Sequence, residues 1–272
     1  MPQANQAASF RNRHSEAKLL ILPNAWDACS AMLAQRSGAE AIATTSAGVA
    51  WALGYPDGNT VPIEAHTACI RLIARVAKCP VSVDVEGGYS DDPKQVTDNI
   101  LRFVDAGAVG INLEDGRETP DALCRKIEAI KTAIARAGVD LFINARTDVY
   151  LKNLAPDQLI EETLRRAKLY AQAGADGLFV PAVKHIDDIS ALVLGQQLPL
   201  NVMAVPGLQG PSELAILGVR RLSAGSAIAQ KIWAVTRQMT EQFLAEGGTE
   251  SLFAQASTFT SLNSEFLAGT HN

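Results

Sequence analysis

The sequence predicts a (β/α)₈ barrel of the TIM type, and three observations support this fold class. Short apolar segments alternate with longer segments of helical period, and the alternation repeats about eight times from Lys18 onward. Three predicted helix ends resemble one another, because a glycine (Gly38, Gly107 or Gly174) separates each helix from the next strand. Strands that alternate with helices pair in parallel, and eight such units in 272 residues fit a closed barrel.

The predicted strands are short apolar runs, many of them rich in β-branched residues. They cover residues 19–22, 41–45, 81–85, 110–113, 141–145, 177–180, 200–204 and 221–224. Between them, apolar residues three or four positions apart predict helices over 27–37, 62–78, 93–106, 122–137, 156–173 and 212–217. The alternative of an open dinucleotide-binding sheet lacks its Gly-x-Gly-x-x-Gly motif, since Gly48 and Gly54 do not have that spacing.

The C-terminal segment contains more helix than a minimal barrel needs. Helical patterns extend over residues 227–246 and 252–262, beyond the last predicted strand. We therefore predict one barrel domain over residues 1–272, in which the helices of residues 227–272 cover the barrel floor or pack on a partner subunit.

Composition excludes several classes of partner. The net charge is -5 and the chain has no basic block, which argues against nucleic acid or an anionic membrane. We find no apolar run long enough to cross a bilayer, and the first residues are polar rather than signal-like, so we expect a cytoplasmic protein. The four cysteines form no Cys-x-x-Cys pair and are expected to be structural thiols.

Two acids stand at the end of the third predicted strand. Side chains at positions i and i+2 of a strand point the same way, so Asp84 and Glu86 are expected to face one side. Two carboxylates held that close repel each other, and burial without a partner costs further free energy. A divalent cation is the simplest compensation, and oxygen ligands favour Mg²⁺, Mn²⁺ or Ca²⁺ over zinc.

Further polar residues follow the neighbouring predicted strands, where the site of such a barrel lies. Glu114 ends strand 4, Arg146 ends strand 5, and Asp57 lies in the loop after strand 2. Acids from neighbouring strand ends with an arginine beside them suit a small carboxylate substrate chelated to a metal. Asp57 alone would equally suit a helix cap, and Arg146 would equally suit neutralisation of Glu114.

The substrate side of the predicted site comes from three places. Thr45, Ser46 and Ala47 form a Gly-containing turn whose N–H groups and hydroxyls predict an anion nest. The guanidinium of Arg146 matches a carboxylate, and we predict that Arg146 and Glu114 carry the catalysis. Asn201 is among the positions expected to set substrate specificity.

These motifs resemble the isocitrate lyase and phosphoenolpyruvate mutase superfamily over residues 20–232. The resemblance is carried by Leu22-Pro-Asn-Ala-Trp-Asp-Ala, Ala43-Thr-Thr-Ser-Ala-Gly-Val-Ala, Asp84-Val-Glu-Gly-Gly-Tyr, Asn112-Leu-Glu-Asp and Asn144-Ala-Arg-Thr-Asp. It implies a barrel whose last helix is exchanged between the subunits of a homodimer or homotetramer. It also implies Mg²⁺ bound directly by Asp84 and, through water, by Asp57, Glu86 and Glu114.

The resemblance further implies a small 2-oxo or 2-hydroxy acid as substrate. Its carboxylate would lie against Thr45, Ser46 and Ala47 and contact Arg146. A C–C or P–C bond beside the oxo group would be made or broken through an enolate that the metal stabilises.

One segment departs from the pattern of the superfamily. Its lyases carry a mobile loop after strand 4 with a Lys-[Lys/Arg]-Cys-Gly-His motif, and its mutase and phosphonopyruvate hydrolase carry a Lys and an Asn there. Here residues 114–124 run almost directly into the next helix. The expected reaction is therefore cleavage or decarboxylation of an oxaloacetate-like 2-oxo acid. The alternatives are a metal-dependent 2-oxo acid binder with little catalysis and a phosphonopyruvate-type mutase or hydrolase.

Overall fold

In a computed structural model that describes residues 2–254 and 256–270, nine parallel strands form one sheet. The strands are β1 (Leu20–Leu22), β2 (Asn24–Ala25), β3 (Ile42–Thr44), β4 (Val81–Asp84), β5 (Gly110–Glu114), β6 (Phe142–Arg146), β7 (Gly177–Val180), β8 (Leu200–Met203) and β9 (Arg221–Ser223). Their order in the sheet is β1-β9-β8-β7-β6-β5-β4-β3-β2. The sheet therefore begins and ends with segments that are adjacent in sequence.

Pro23 divides the first barrel strand into these two segments. On one side of it, the Leu22 carbonyl accepts a hydrogen bond from the Ala224 amide at 3.1 Å, beside β9. On the other side, the Pro23 carbonyl accepts one from the Ala43 amide at 3.0 Å, beside β3. β1 and β2 together occupy one strand position, so eight positions complete the predicted (β/α)₈ barrel.

Helices connect the strands and extend beyond the last one. They are α1 (Gln3–Ser15), α2 (Ala28–Arg36), α3 (Ser46–Ala52), α4 (Ile63–Val76), α5 (Pro93–Asp105), α6 (Pro120–Ala137), α7 (Leu159–Ala173), α8 (Ile186–Gly195), α9 (Pro211–Leu217), α10 (Ala227–Glu246), α11 (Glu250–Phe253) and α12 (Phe259–Thr270). The chain forms two compact units, Met1–Gly225 with the barrel and Ser226–Asn272 with α10 to α12. None of the helices in the described ranges is both long and apolar enough to cross a membrane.

Each predicted strand is present, with ends that shift by at most one residue. Two predictions about helices need correction. The predicted helix over 252–262 is interrupted, because α11 ends at Phe253 and α12 begins at Phe259, and residue 255 lies outside the described residues. Helix α1 falls in a segment whose polar composition gave no helical prediction, since only Ala7, Phe10 and His14 of its side chains are buried.

Helix α1 covers the barrel floor, by which we mean the amino-terminal ends of the strands. The rings of Phe10 and Phe142 meet edge to face with centroids 5.5 Å apart, and His14 stacks on Phe142 at 4.2 Å. Gly110 allows this approach, because a Cβ there would lie 2.6 Å from Phe10 Cε1. With the floor covered in this way, the carboxyl-terminal ends of the strands are left for a site.

Above the floor, polar side chains cross the barrel interior. Asn144 Nδ2 donates to Asn112 Oδ1 at 2.9 Å and to Asn201 Oδ1 at 3.0 Å. Arg221 donates to the same Asn112 oxygen at 3.3 Å, and its guanidinium stands 6.0 Å from the ring centroid of Phe10. Burial lowers the pKa of Arg221 to about 9. The asparagines link β5, β6 and β8 directly beneath the carboxyl-terminal ends.

Candidate active site

Three neighbouring strands end in charged side chains. Asp84 is the last residue of β4, Glu114 of β5 and Arg146 of β6. Glu114 is the register partner of Arg146, so the parallel pairing sets them side by side. Glu114 Oε2 and Arg146 Nη1 are 2.7 Å apart. The structure thus brings together residues that sequence reasoning assigned to one site.

Asp84 is buried and only partly satisfied. Its Oδ2 accepts a hydrogen bond from the Ser46 amide at 3.3 Å, whereas its Oδ1 is buried with no hydrogen-bond partner. Burial raises the pKa of this carboxyl, and the positive charge of Arg146 opposes that effect. An unpartnered buried carboxylate oxygen is costly unless a cation or donor completes it.

Glu86 lies near Asp84, but not for the reason expected from strand alternation. β4 ends at Asp84, and Glu86 lies in the following turn with the left-handed φ of 51°. Its Oε2 accepts from the Asn59 amide, and its Oε1 accepts from the Tyr89 hydroxyl at 3.3 Å. The pKa of Glu86 is raised to about 7, mainly by burial and also by the negative charges of Asp84 and Asp57, while the hydrogen bond from the Asn59 amide opposes the rise.

The turn that carries Glu86 is held from neighbouring helices. Lys126 on α6 is almost fully buried, and its Nζ donates to the Gly87 carbonyl at 3.0 Å. Asn99 on α5 donates to the Gly88 carbonyl, also at 3.0 Å. His66 Nδ1 lies 2.7 Å from the Tyr89 hydroxyl. Sequence reasoning missed these supports, although a lysine between Leu123 and Ile127 in the apolar stripe of α6 is a usable signal.

Arg146 is tied to two acids rather than one. Besides Glu114, it contacts Asp148, with Nε 2.7 Å from Oδ1 and Nη2 3.3 Å from Oδ2. Burial disfavours its charge, but Glu114, Asp148 and Asp84 more than offset this and raise its pKa. The pKa of Glu114 is raised to about 7, mainly by burial, against the lowering effect of Arg146 and with a smaller contribution from the charge of Asp84. Arg146 thus neutralises Glu114, as one of the two predicted roles requires. Its other predicted role, binding of a substrate carboxylate, stays a prediction.

Thr45, Ser46 and Ala47 lie at a helix start rather than in an isolated turn. Thr45 is the N-cap of α3, and its Oγ1 accepts from the Gly48 amide at 3.4 Å. All three residues are buried. The first turn of a helix presents N–H groups without helical partners. The Thr45 amide donates to the Ala25 carbonyl at 3.1 Å, and the anion nest stays a prediction. The Ser46 amide is directed to Asp84, which connects this nest to the acids.

The remaining predicted residues lie in different surroundings. Asp57 is exposed in the connection between α3 and α4, and its charge raises the pKa of both Asp84 and Glu86. Asn201 is 1% exposed in the barrel interior. Its amide nitrogen donates to the Val202 and Arg221 carbonyls and to Ser223 Oγ, while its oxygen accepts from Asn144.

A second cation, Lys152, stands beside Arg146 and was absent from the sequence-based site. It follows β6 in the connection to α7, and its Nζ lies 2.7 Å from Asp148 Oδ2. A Cβ placed on Gly116 would lie 3.5 Å from Lys152 Nζ and 3.7 Å from Glu114 Oε1. Lys152 is four residues beyond the buried Asp148, and the strand pattern gave no signal for it.

The donor set determines which metal fits. Over residues 2–254 and 256–270, no group of three or more His, Cys, Asp or Glu side chains converges as a ready metal cage. Asp84 nevertheless offers an unpartnered buried oxygen, and its negative charge raises the pKa of both Glu86 and Glu114. Mg²⁺ keeps several waters and takes one or two carboxylates, so this oxygen-only arrangement fits a hydrated Mg²⁺.

Comparisons with known proteins identify relatives of this chain. The model of the phosphoenolpyruvate phosphomutase family matches residues 10–244. A protein of Mycobacterium tuberculosis is 38% identical over 222 residues, which cover 80% of this chain and 82% of that protein. An oxaloacetate decarboxylase of Ectopseudomonas mendocina is 29% identical over 64% of this chain and 62% of its own length.

A solved structure from Burkholderia cenocepacia J2315 has a TM-score of 0.82 and 38% identity to this chain. It covers 90% of this chain and 100% of its own. Relatives of lower identity include 2-methylisocitrate lyases. The chain belongs to the phosphoenolpyruvate phosphomutase family, within the isocitrate lyase and phosphoenolpyruvate mutase superfamily of lyases and mutases.

Proposed function

We propose that this chain is a Mg²⁺-dependent lyase that acts on a small 2-oxo acid of the oxaloacetate type, by decarboxylation or another C–C cleavage. The observation that carries the proposal is the unpartnered buried oxygen of Asp84, next to two acids and an arginine at the barrel's carboxyl end. Arg146 pairs with Glu114, whereas the carboxylates of Asp84 and Glu86 would repel each other unless a metal ion neutralised them.

The metal side of the proposed site consists of carboxylates alone. Asp84 would bind Mg²⁺ directly, and Glu86, Glu114 and Asp57 would hold its waters. Mn²⁺ would suit the same oxygen ligands. A bound Mg²⁺ would supply a Lewis acid for the oxygen on which enolate charge develops. Tyr89 and the Asn59 amide keep Glu86 oriented through their hydrogen bonds.

The substrate side consists of the α3 start and Arg146. The amide of Ala47 and the hydroxyls of Thr45 and Ser46 would bind the carboxylate beside the oxo group, since the Thr45 and Ser46 amides donate to the Ala25 carbonyl and to Asp84. Arg146, fixed by Glu114 and Asp148, would present its guanidinium to the substrate in one orientation. Asn201 would act from the barrel interior beneath the site, where its oxygen accepts a hydrogen bond from Asn144.

The short connection after β5 favours decarboxylation. Only five residues, 115–119, separate the end of β5 from the start of α6. When the C3–C4 bond of oxaloacetate breaks, its electron pair passes to C3 and the oxo oxygen, and CO₂ leaves without needing a proton. Water can supply the proton that C3 takes up afterwards. No acid on a mobile loop is required, and the oxaloacetate decarboxylase among the relatives catalyses a reaction of this class.

Substitution of Asp84 tests the proposal. We expect Asp84→Ala to reduce Mg²⁺-dependent pyruvate release from oxaloacetate by at least about 100-fold, because a direct ligand matters more than an outer-shell partner. Thermal stabilisation by Mg²⁺ with oxalate should be lost as well. Asp105→Ala, which changes an exposed acid at the end of α5, is the matched control. Full turnover and metal stabilisation in Asp84→Ala would refute the assignment.

Two alternative functions have distinct outcomes in the same assays. A metal-dependent 2-oxo acid binder is favoured by the absence of the loop motif after β5, and it would show stabilisation by oxalate without turnover. A phosphonopyruvate-type mutase or hydrolase is suggested by the matching family model. The hydrolase would release phosphate from phosphonopyruvate, and the mutase would convert it to phosphoenolpyruvate.

A further inference from the structure

Two cations stand next to each other at the carboxyl end of β6. Asp148 Oδ2 contacts both Lys152 Nζ, at 2.7 Å, and Arg146 Nη2, at 3.3 Å. The Asp148 side chain is 0% exposed, so this bridging oxygen is fully withdrawn from solvent. The main chain fixes the arrangement as well, because the Lys152 amide donates to the Asp148 carbonyl at 2.8 Å. Lys152 is thus a positioned residue and not a freely rotating surface lysine.

Lys152 retains capacity to bind another acceptor. An ammonium group has three N–H donors, and the only ion pair that Lys152 makes within the described residues is with Asp148. Asp148 is in addition paired with Arg146, so it does not depend on Lys152 for its neutralisation. The Lys152 side chain is 28% exposed, which leaves part of it open to an incoming group.

Gly116, in the short connection after β5, adds no side chain beside Lys152. Gly116 passes close to both Lys152 and Glu114, since a Cβ there would contact Lys152 Nζ at 3.5 Å and Glu114 Oε1 at 3.7 Å. Gly116 also has a positive φ of 55°, a conformation that favours glycine. A larger residue would therefore occupy the space between the ammonium and the acids.

We propose that Lys152 binds the distal carboxylate of a dicarboxylic 2-oxo acid and so sets a preference for four-carbon dicarboxylates over monocarboxylates. The inference rests on the proposed function, in which the α3 start and Arg146 bind the carboxylate beside the oxo group. One cation is insufficient for two separated carboxylates, whereas Arg146 and the adjacent Lys152 provide one for each. Lys152 is a specificity-determining residue in this assignment.

The loss of charge from the distal carboxylate during decarboxylation determines which kinetic constant Lys152 affects. The distal carboxylate of oxaloacetate is charged in the bound substrate, but CO₂ is neutral, so its attraction to Lys152 decreases as the C–C bond breaks. An interaction that is stronger in the ground state than in the transition state lowers KM without raising kcat. Loss of the ammonium should therefore raise KM for oxaloacetate and leave kcat unchanged or higher.

The test compares ligands with and without the distal carboxylate. Binding of 3,3-difluorooxaloacetate, oxalate and pyruvate in the presence of Mg²⁺ is measured by calorimetry for the wild type and for Lys152→Gln. We expect Lys152→Gln to raise the Kd of 3,3-difluorooxaloacetate by about ten-fold or more and the Kd of oxalate by less than about two-fold. Lys152→Arg should retain most of the wild-type affinity for 3,3-difluorooxaloacetate, because it keeps the positive charge. Lys94→Gln, at an exposed position on α5, should behave as the wild type.

Three results would count against the inference. An equal loss of oxalate and 3,3-difluorooxaloacetate binding in Lys152→Gln would show that the lysine only supports Asp148 and Arg146. Equal affinity of the wild type for pyruvate and 3,3-difluorooxaloacetate would show that no cation binds the distal carboxylate. A wild type that binds none of these acids with Mg²⁺ would overturn the proposed function itself, and this inference with it.

Discussion

At the scale of single residues, the site consists of charges that the fold removes from water. The pKa values of Glu86 and Glu114 are both raised to about 7, chiefly by burial, and Arg146 pairs with Glu114. The sequence predicted these three residues because each stands at or just beyond a strand end. It did not predict Lys152 or Lys126, which come from a loop and a helix face, since strand alternation says nothing about their direction.

A pH prediction follows from His14 on the barrel floor. Burial lowers its pKa to about 3, helped by the charge of Arg221, so it is neutral in the folded protein, whereas the unfolded chain takes up a proton near pH 6.5. Between these values the unfolded state binds more protons, so stability falls on acidification. We expect His14 to contribute a loss of about 2 kcal/mol in unfolding free energy from pH 7 to pH 5.

Urea unfolding of the wild type and His14→Phe at both pH values measures this contribution. The phenyl ring can keep the stack on Phe142 but takes up no proton, so the variant should lose about 2 kcal/mol less than the wild type on acidification. An equal loss in the two proteins would mean that His14 is protonated in the fold.

At the scale of elements, α1 and the strand starts form one packed layer. Phe10 and Ala7 of α1 join Leu20, Val109 and Phe142 in a buried apolar cluster. The strand starts were predicted, but their cover was not, because α1 buries too few side chains to give a helical stripe. The interruption between α11 and α12 was missed for the same reason, since no side chain of α11 is buried and none is buried in residues 259–267 of α12.

The close approach at Gly110 gives the element-scale prediction. We expect Gly110→Ala to lower the unfolding free energy by about 1–3 kcal/mol, because the new methyl group would stand 2.6 Å from Phe10 Cε1. Adding Phe10→Leu should recover part of that loss, which is a coupling of about 1 kcal/mol in a double-mutant cycle. Strict additivity in denaturant unfolding would argue that the methyl group clashes elsewhere.

At the scale of the whole molecule, alternation of strands and helices was enough to predict the barrel, because eight βα units without the glycine motif of an open dinucleotide-binding sheet fit a closed barrel in a chain of this length. It was not enough to predict the conformation of Glu86, since the left-handed turn after β4 depends on contacts from α4, α5 and α6. The role of the C-terminal helices in assembly stays a prediction, and the exposed side chains of α10 make it testable.

Ile228, Ile232 and Val235 recur on one side of α10 and are 42%, 44% and 36% exposed in the single chain. If this side packs on a partner subunit, Ile232→Asp should shift the protein towards a lower molar mass in light scattering, because a carboxylate is costly in an apolar contact. Gln238→Asp, also exposed on α10, is the control. An unchanged molar mass for Ile232→Asp would exclude this side from the assembly.

The five-residue connection between β5 and α6 also bears on the stereochemistry of the proposed reaction. A carbanion released beneath a closed cover is protonated from one direction by a fixed donor, so its product has one configuration. In the proposed reaction, the five residues between β5 and α6 are too few to form such a cover, so we expect bulk water to protonate the planar carbon from both faces. A 3-substituted substrate turned over in heavy water would then give product with its label distributed between the two mirror-image forms.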